Sequence, residues 1–506
     1  MHGLNKFRMR RKATIWSVLA ASFLAACVSV GPARAQAPGR GRVYIILWFI
    51  TDDSQLAQDD TAAKRLAAYL TQQGVRATFL VSAEKARAIE RRNRQDVIGA
   101  LAQHEIGYYL EHPGQGGLDA NAGTGRNLER QVRSERTGLA DVRRVLGQSP
   151  TCYDGAEAIL TPALYATLQK WGMKVRFHRG RWPAAYEKPF WHEGLLNIYT
   201  SRETQQLRPD SNWSNLAEAR ARFQDFRFRV SSRREGTLLN VCFRPAEFVQ
   251  QADPAKEEGA RASGGRDSTE SPAVKSPEES EKAFSYFESL VTYLKSSSGV
   301  EFVTASAALG MLRDTAQRRV FSRAEIGDIA KFVEPEISFQ DHEDYILAPS
   351  EVLYLLAKSI AVIIRRQPYE PILLDGTPSG PDSSPPESGP PLLEVPWDQF
   401  ATAALEVAGY VSKQDQVPDA VRVGNSTVSP ARFLRALAQV TQTLQLKGEF
   451  PESVQFGAAR LSVGDYLEGE SSAPLGESAT GQDPLQRGLA KLQAWTFKPA
   501  RFQTQR

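Results

Sequence analysis

Two adjacent carboxylates, Asp52 and Asp53, close an apolar run, Val43-Tyr44-Ile45-Ile46-Leu47-Trp48-Phe49-Ile50, with Thr51 between. Carboxylates side by side at the end of a buried segment cost desolvation energy, so they carry function, as acid–base groups or ligands, or they are ion-paired. The plainer alternative is that they cap a helix starting near Gln55. A second titratable group stands in a similar place: His178 ends the stretch Met173 to Phe177.

The elements that must position these groups follow from pattern. Eight apolar residues rich in β-branched and aromatic types, bounded by polar ones, fit a strand covered on both faces. In barrels and parallel sheets such strands turn their C-terminal ends to the ligand side. Asp59 to Thr71 has Ala63, Leu66, Ala67 and Leu70 at helical spacing, with Gly74 as its stop. Further helices are expected over Asn127 to Leu146, from Pro162 through Trp171, and over Ala283 to Lys295. Strands are expected at Cys152-Tyr153, Met173 to His178, Thr237 to Phe243 and Val300 to Thr304. Strand–helix alternation of this kind predicts an α/β fold.

Three motifs occur in order: the strand ending in Asp52-Asp53, then Gly74-Val75-Arg76-Ala77-Thr78-Phe79-Leu80-Val81, then His104-Glu105-Ile106-Gly107 leading to His112-Pro113. Together they resemble the polysaccharide deacetylases of the NodB-homology class. The resemblance spans roughly residues 41–315 and implies a distorted, incomplete (β/α) barrel. It also implies a metal-assisted hydrolysis of N-acetyl groups on a sugar, with a zinc-type divalent metal held by one Asp and two His. On that pattern Asp52 matches the base, Asp53 the metal carboxylate and His112 the second histidine ligand.

Other positions depart from the pattern. Tyr109 stands where the first ligand histidine belongs, and a neutral tyrosine is a poor zinc ligand. The segment Pro150-Thr151-Cys152-Tyr153-Asp154-Gly155 lacks the arginine expected to orient the base. Arg244 stands in place of the general-acid histidine, and a guanidinium that stays protonated cannot shuttle a proton. His178 is the candidate for rebuilding the missing ligand, giving an Asp53–His112–His178 site; the bland alternative is a packed surface histidine. Tyr109, Tyr153, Trp182 and Trp191 are candidate glycan contacts, since the irregular, aromatic segment Arg179 to Pro209 is of the kind that walls a binding groove.

The N-terminus reads as a targeting segment. Lys6, Arg8, Arg10, Arg11 and Lys12 precede an apolar stretch from Ala13 to Ala26, too short and interrupted to span a membrane, which needs about 18 apolar residues. Two exits are available: lipidation of Cys27 after Leu24-Ala25-Ala26, or cleavage after Ala33-Arg34-Ala35. Residues 1–35 are therefore assigned to a signal peptide, and the protein to export, periplasmic, secreted or anchored by a lipid on Cys27. Losing residues 1–26 takes the formal charge from +4 to −1. A near-neutral chain argues against nucleic acid, and six histidines are too few for a metal buffer. Cys152 and Cys242 could be free thiols or a disulfide.

Residues 250–281, poor in apolar types, read as a disordered insertion in the 41–315 domain. Beyond it lie a helical segment (316–373) and a Pro/Gly/Ser linker (374–396). A helical repeat region (397–470) and a tail (471–506) follow. Pro418 to Gly424 and Pro451 to Gly457 read alike, 33 residues apart, and Ala348 to Leu353 parallels Ser429 to Leu434. Over this short stretch the units resemble pseudomurein-binding repeats. Three readings compete: a hydrolase of N-acetylated envelope glycans, a non-enzymatic binder of a cell-envelope or peptidoglycan-like polysaccharide, and a scaffold working through the C-terminal region. Bound metal separates the first two; deleting residues 316–506 and testing capture by cell-wall material separates the second from the third.

Overall fold

A computed structural model describes residues 41–110, 125–155, 162–178, 188–199, 207–233, 235–251, 272–388, 393–463 and 491–503. Residues 38–506 group as one compact unit, and Met1–Ala37, with Cys27, lie outside the described residues.

The apolar run becomes strand β1 (Val43–Thr51), buried at every position. The strands that follow are β2 (Thr78–Ser82), β3 (Glu105–Leu110), β4 (Cys152–Gly155), β5 (Val175–His178), β6 (Phe190–His192), β7 (Leu195–Tyr199), β8 (Thr237–Phe243) and β9 (Val300–Phe302). From one edge the order is β6-β7-β5-β4-β3-β2-β1-β8, parallel except for β6, which returns on β7 through a tight turn at Glu193-Gly194. Both turn residues have positive φ, as a two-residue hairpin requires. On β1, β8 pairs along Val43 to Phe49, while β9 and then β2 share the opposite side. The sheet curls, and among the described residues its two edges do not pair, which makes it an incomplete barrel flanked by helices, the fold class expected from the sequence.

Alternation along β1 divides the core. Val43, Ile45, Leu47 and Phe49 pack outward on the helices, among them Ala57–Gln72 and Pro277–Ser296. Tyr44, Ile46, Trp48 and Ile50 fill the interior with Leu80, Tyr109, Cys152 and Phe177. The Trp48 and Phe177 rings stack at 4.5 Å, and the Trp48 indole donates to Asn240 Oδ1 at 3.1 Å. Cys152 and Cys242 are buried free thiols. The lower end of the barrel is closed by helix Ala305–Met311, whose first turn is anchored by Glu105: the backbone N–H of Ser306 donates to its carboxylate at 3.1 Å.

The C-terminal region contains four longer helices, Arg323–Lys331, Pro349–Ile364, Trp397–Gln414 and Pro430–Lys447, around their own core. Ser322 and Glu325 form a capping box, and Ser429 caps the helix begun by Pro430. Two helices are each preceded by a small antiparallel hairpin. Gln340–Asp341 with Ile346–Leu347 leads into Pro349–Ile364, and Val421–Val423 with Ser426–Val428 leads into Pro430–Lys447. The unit at 451–462 behaves differently from its sequence counterpart: Ser453–Phe456 pairs with Leu393–Pro396, and Arg460–Leu461 with Glu336–Ile337.

Three boundaries need correction. The insertion is shorter than 250–281: Gln250 bridges Val274, and a capped helix begins at Pro277, because Ser276 and Glu279 satisfy each other's backbone N–H groups. The segment 374–396 is no free linker. Gly380 N–H donates to Gln493 at 2.8 Å, Ser383 to Asp419 at 2.5 Å, and Glu387 pairs with Arg432 at 2.7 Å. The tail returns to the barrel: Lys498–Pro499 adds a strand antiparallel to β6. Lys498 is buried there against Glu351 at 2.6 Å and Asp314 at 2.7 Å. Among the described residues no helix is long and apolar enough to cross a membrane.

Candidate functional site at the ends of β1 and β8

The alternative that Asp52 and Asp53 cap a helix is excluded by geometry. The next helix starts at Ala57, its N-cap is Leu56, and no side chain caps it. The two carboxylates instead end β1 beside the end of β8, since Phe49 pairs with Phe243 and the next turn brings Arg244 alongside. Arg244 Nη2 donates to Asp52 Oδ2 at 2.9 Å, with both side chains partly exposed. The remaining oxygen, Asp52 Oδ1, is buried without a hydrogen-bond partner among the described residues. Glu247 accepts from the Arg244 backbone N–H at 3.4 Å and from Arg208 at 2.8 Å, which braces the turn after β8.

A buried polar framework holds the β1 turn from beneath. Lys85 Nζ donates to the Asp53 carbonyl at 2.5 Å and pairs with Asp60 at 2.7 Å. Arg92 reaches the Ser54 carbonyl at 2.5 Å, the Gln55 carbonyl at 3.0 Å and Asp60 at 2.8 Å. Asp59 accepts from Gln250 at 2.9 Å. None of these four side chains (Lys85, Asp60, Arg92, Gln250) was singled out from sequence. The available signal was charge on buried faces, because Asp59 and Asp60 share the stripe of Ala63 and Leu66.

Electrostatics separate the two aspartates. Burial foremost, with the neighbouring Asp52 carboxylate, pushes the Asp53 carboxyl up to about 6 against the pull of Arg244. Burial works against the Arg244 cation, but Asp52, Tyr109 and Asp53 together hold it above its ordinary value. Asp53 therefore gains a proton near pH 6 while Arg244 stays charged. The sign is that of a carboxyl raised by folding: the folded chain binds the extra proton, so this group's contribution to stability falls as pH rises from the usual carboxylate range to about 6. Carboxyl-detected NMR should place the Asp53 midpoint near 6, and Arg244→Gln should move it upward. A midpoint that stays put or falls in that variant would show that Arg244 does not act on Asp53.

The sequence-derived site residues separate as follows. Asp52, Asp53 and Arg244 come together, and Tyr109 faces the barrel interior near Arg244. Tyr153 does not join them. Because Cys152 takes the interior, Tyr153 points outward and packs against Tyr165 and Leu168, fully buried. Trp191 lies at the opposite sheet edge on β6, beside the C-terminal strand. His178 ends β5 and pairs with Tyr199; its side chain, like His112 and Trp182, lies outside the described residues. Strands β1 and β3 are not neighbours: β2 lies between them, as sequential parallel strands add one beside the next.

Among the described residues, no three His, Cys, Asp or Glu side chains are grouped to hold a metal. Of the residues assigned to the metal from sequence, only the Asp53 side chain lies among the described residues, and Tyr109 in place of a histidine offers a poor ligand. The described groups present a charged arginine paired with Asp52 and a carboxyl, Asp53, that protonates near pH 6.

No family model matches the chain, and no curated protein matches it in sequence. Solved structures similar to it include a protein from Mycobacterium smegmatis assigned as a polysaccharide deacetylase. It is 13% identical, with 54% of this chain and 92% of that chain covered at a TM-score of 0.33. A 4-alpha-glucanotransferase from Thermococcus litoralis is 11% identical, with 65% and 53% covered at 0.38. A mutant CE4 family pseudoenzyme with restored enzymatic activity is 11% identical, with 53% and 67% covered at 0.29. Likeness at this level carries no information about activity.

Proposed function

We propose that this chain is an exported, polysaccharide-deacetylase-like protein that recognises N-acetylated envelope glycans at the ends of β1 and β8 and does not hydrolyse them by the metal-dependent route. The deacetylase element rests on the order of the Asp52-Asp53, Gly74–Val81 and His104–Gly107 motifs. The observation that carries the binding reading is the Arg244–Asp52 ion pair at 2.9 Å. It puts, in place of an acid that could release a proton, a guanidinium that cannot. Groups that act together in catalysis are not lost singly without abolishing the chemistry. Planar guanidinium and carboxylate groups remain well suited to the paired hydroxyls of a sugar.

The test uses the mature chain, loaded with zinc or cobalt and dialysed, on chitooligosaccharides and on purified peptidoglycan. The expected result is no acetate release, together with co-sedimentation with the insoluble glycan that is weakened by Asp52→Asn and Arg244→Gln. Acetate release that follows metal content would overturn the reading in favour of an active hydrolase. Mass spectrometry of the secreted form should find an N-terminus at Cys27, lipidated, or after Ala35.

A further inference from the structure

A second concave site lies at the other end of the barrel. A cleft of about 340 Å³ opens between the β6 edge, residues 313–315, residues 343–346 and the C-terminal strand. This volume is at the lower end of the range typical of small-molecule sites. Phe502, in its wall, packs on Tyr44 near the start of β1, with ring centroids 5.5 Å apart. Eight residue steps along the strand separate Tyr44 from Asp52, roughly 26 Å of extended chain, so the two sites do not share a ligand.

The walls are held by groups that are already satisfied. Lys498 is locked by Glu351 and Asp314, and Arg501 grips both carboxylate oxygens of Asp341 at 2.5 Å. These contacts bring three stretches, distant in sequence, into one preformed cavity. Its lining combines aromatic side chains, Trp191, Tyr345 and Phe502, with charged groups of both signs, Arg313, Glu343 and Asp344. Arg313 is exposed, and no described residue pairs with it.

We infer that this cleft is a binding site for a neutral saccharide of one or two pyranose units. Over the whole lining three cations, Arg313, Lys498 and Arg501, face three carboxylates, Asp314, Glu343 and Asp344, which gives a strongly ionic ligand no net attraction. Aromatic edges offer apolar contact to the C–H faces of a sugar ring. Guanidinium and carboxylate groups each accommodate two adjacent hydroxyls. The site is independent of the strand-end reading, and the expected role of Arg313 is to orient the hydroxyls.

The full mature chain is titrated with N,N′-diacetylchitobiose, cellobiose and maltose, followed by saturation-transfer NMR and calorimetry. At least one disaccharide should bind, and Arg313→Ala should weaken it on the order of tenfold, the loss of one charge-assisted contact. Because Arg313 is exposed, its removal does not threaten the fold; Glu343→Gln serves as a second exposed variant expected to weaken binding. No binding by any of the three sugars would overturn the inference. So would binding that survives both cleft variants but is lost in Asp52→Asn, an outcome that would place the sugar at the strand ends and leave the proposed function standing.

Discussion

Lys498→Met should destabilise the folded chain by about 3–5 kcal/mol, read as a lowered urea midpoint, because it strips the counter-charge from buried carboxylates. The Lys498 ammonium is 1% exposed, with Glu351 at 0% and Asp314 at 5%. Burial alone would lower the Lys498 ammonium, and Glu351 and Asp314 more than offset that, so the group stays charged. Glu351 also accepts the Ala348 N–H at 2.7 Å at the start of helix Pro349–Ile364 and the Thr377 hydroxyl at 2.5 Å. One side chain therefore ties together the C-terminal strand, the helix and the strap across 374–396. The pH signature distinguishes this from lost packing. Burial already holds the Glu351 carboxyl above its ordinary value against the pull of Lys498; without Lys498 that pull is gone, so the folded variant takes up a proton there and the deficit shrinks as pH falls into the ordinary carboxylate range. A deficit that does not change with pH would mean that Lys498 acts through its alkyl chain only.

The contrast between what sequence could and could not reveal is clearest around this lysine. A barrel strand such as β1 announces itself through eight consecutive apolar residues, and helix Pro430–Lys447 through Ser429 and Pro430, because local chemistry decides both. Asp52 and Asp53 were legible for the same reason, as carboxylates at the end of an apolar strand, and Arg244 through the motif position it occupies in the family resemblance. Lys498 sits in a stretch with no such pattern, and its burial depends on Glu351 and Asp314, 147 and 184 residues away. Tyr153 failed differently: its strand was foreseen, but a one-residue choice of face, settled by Cys152 entering the interior, moves it from the cleft to the helix layer. The strap at 374–396 has the composition of a linker, yet its contacts come from Asp419, Arg432 and Gln493, which composition cannot report.

Asp60→Ala should cost a comparable amount, about 3–5 kcal/mol, since it leaves Lys85 charged and buried. Asp60 is fully buried, Lys85 is 1% exposed, and they lie 2.7 Å apart. Arg92, more exposed, can turn to water and tolerates the loss better. Lys85 retains only the Asp53 carbonyl, a weaker partner than a carboxylate. Lys85→Met alone should also destabilise, by orphaning Asp60. The Asp60→Ala, Lys85→Met double variant should lose clearly less than the sum of the two, the mark of a direct pair. The consequence reaches the site, because Lys85 and Arg92 together hold the carbonyls of Asp53, Ser54 and Gln55. In Asp60→Ala the side chains that hold this turn lose their anchor, and in Lys85→Met one of them is gone, so glycan co-sedimentation should weaken even at temperatures where the fold persists. If Asp60→Ala lowers stability while binding at the strand ends is unchanged, the framework serves the fold alone and Asp52 and Arg244 suffice to position each other.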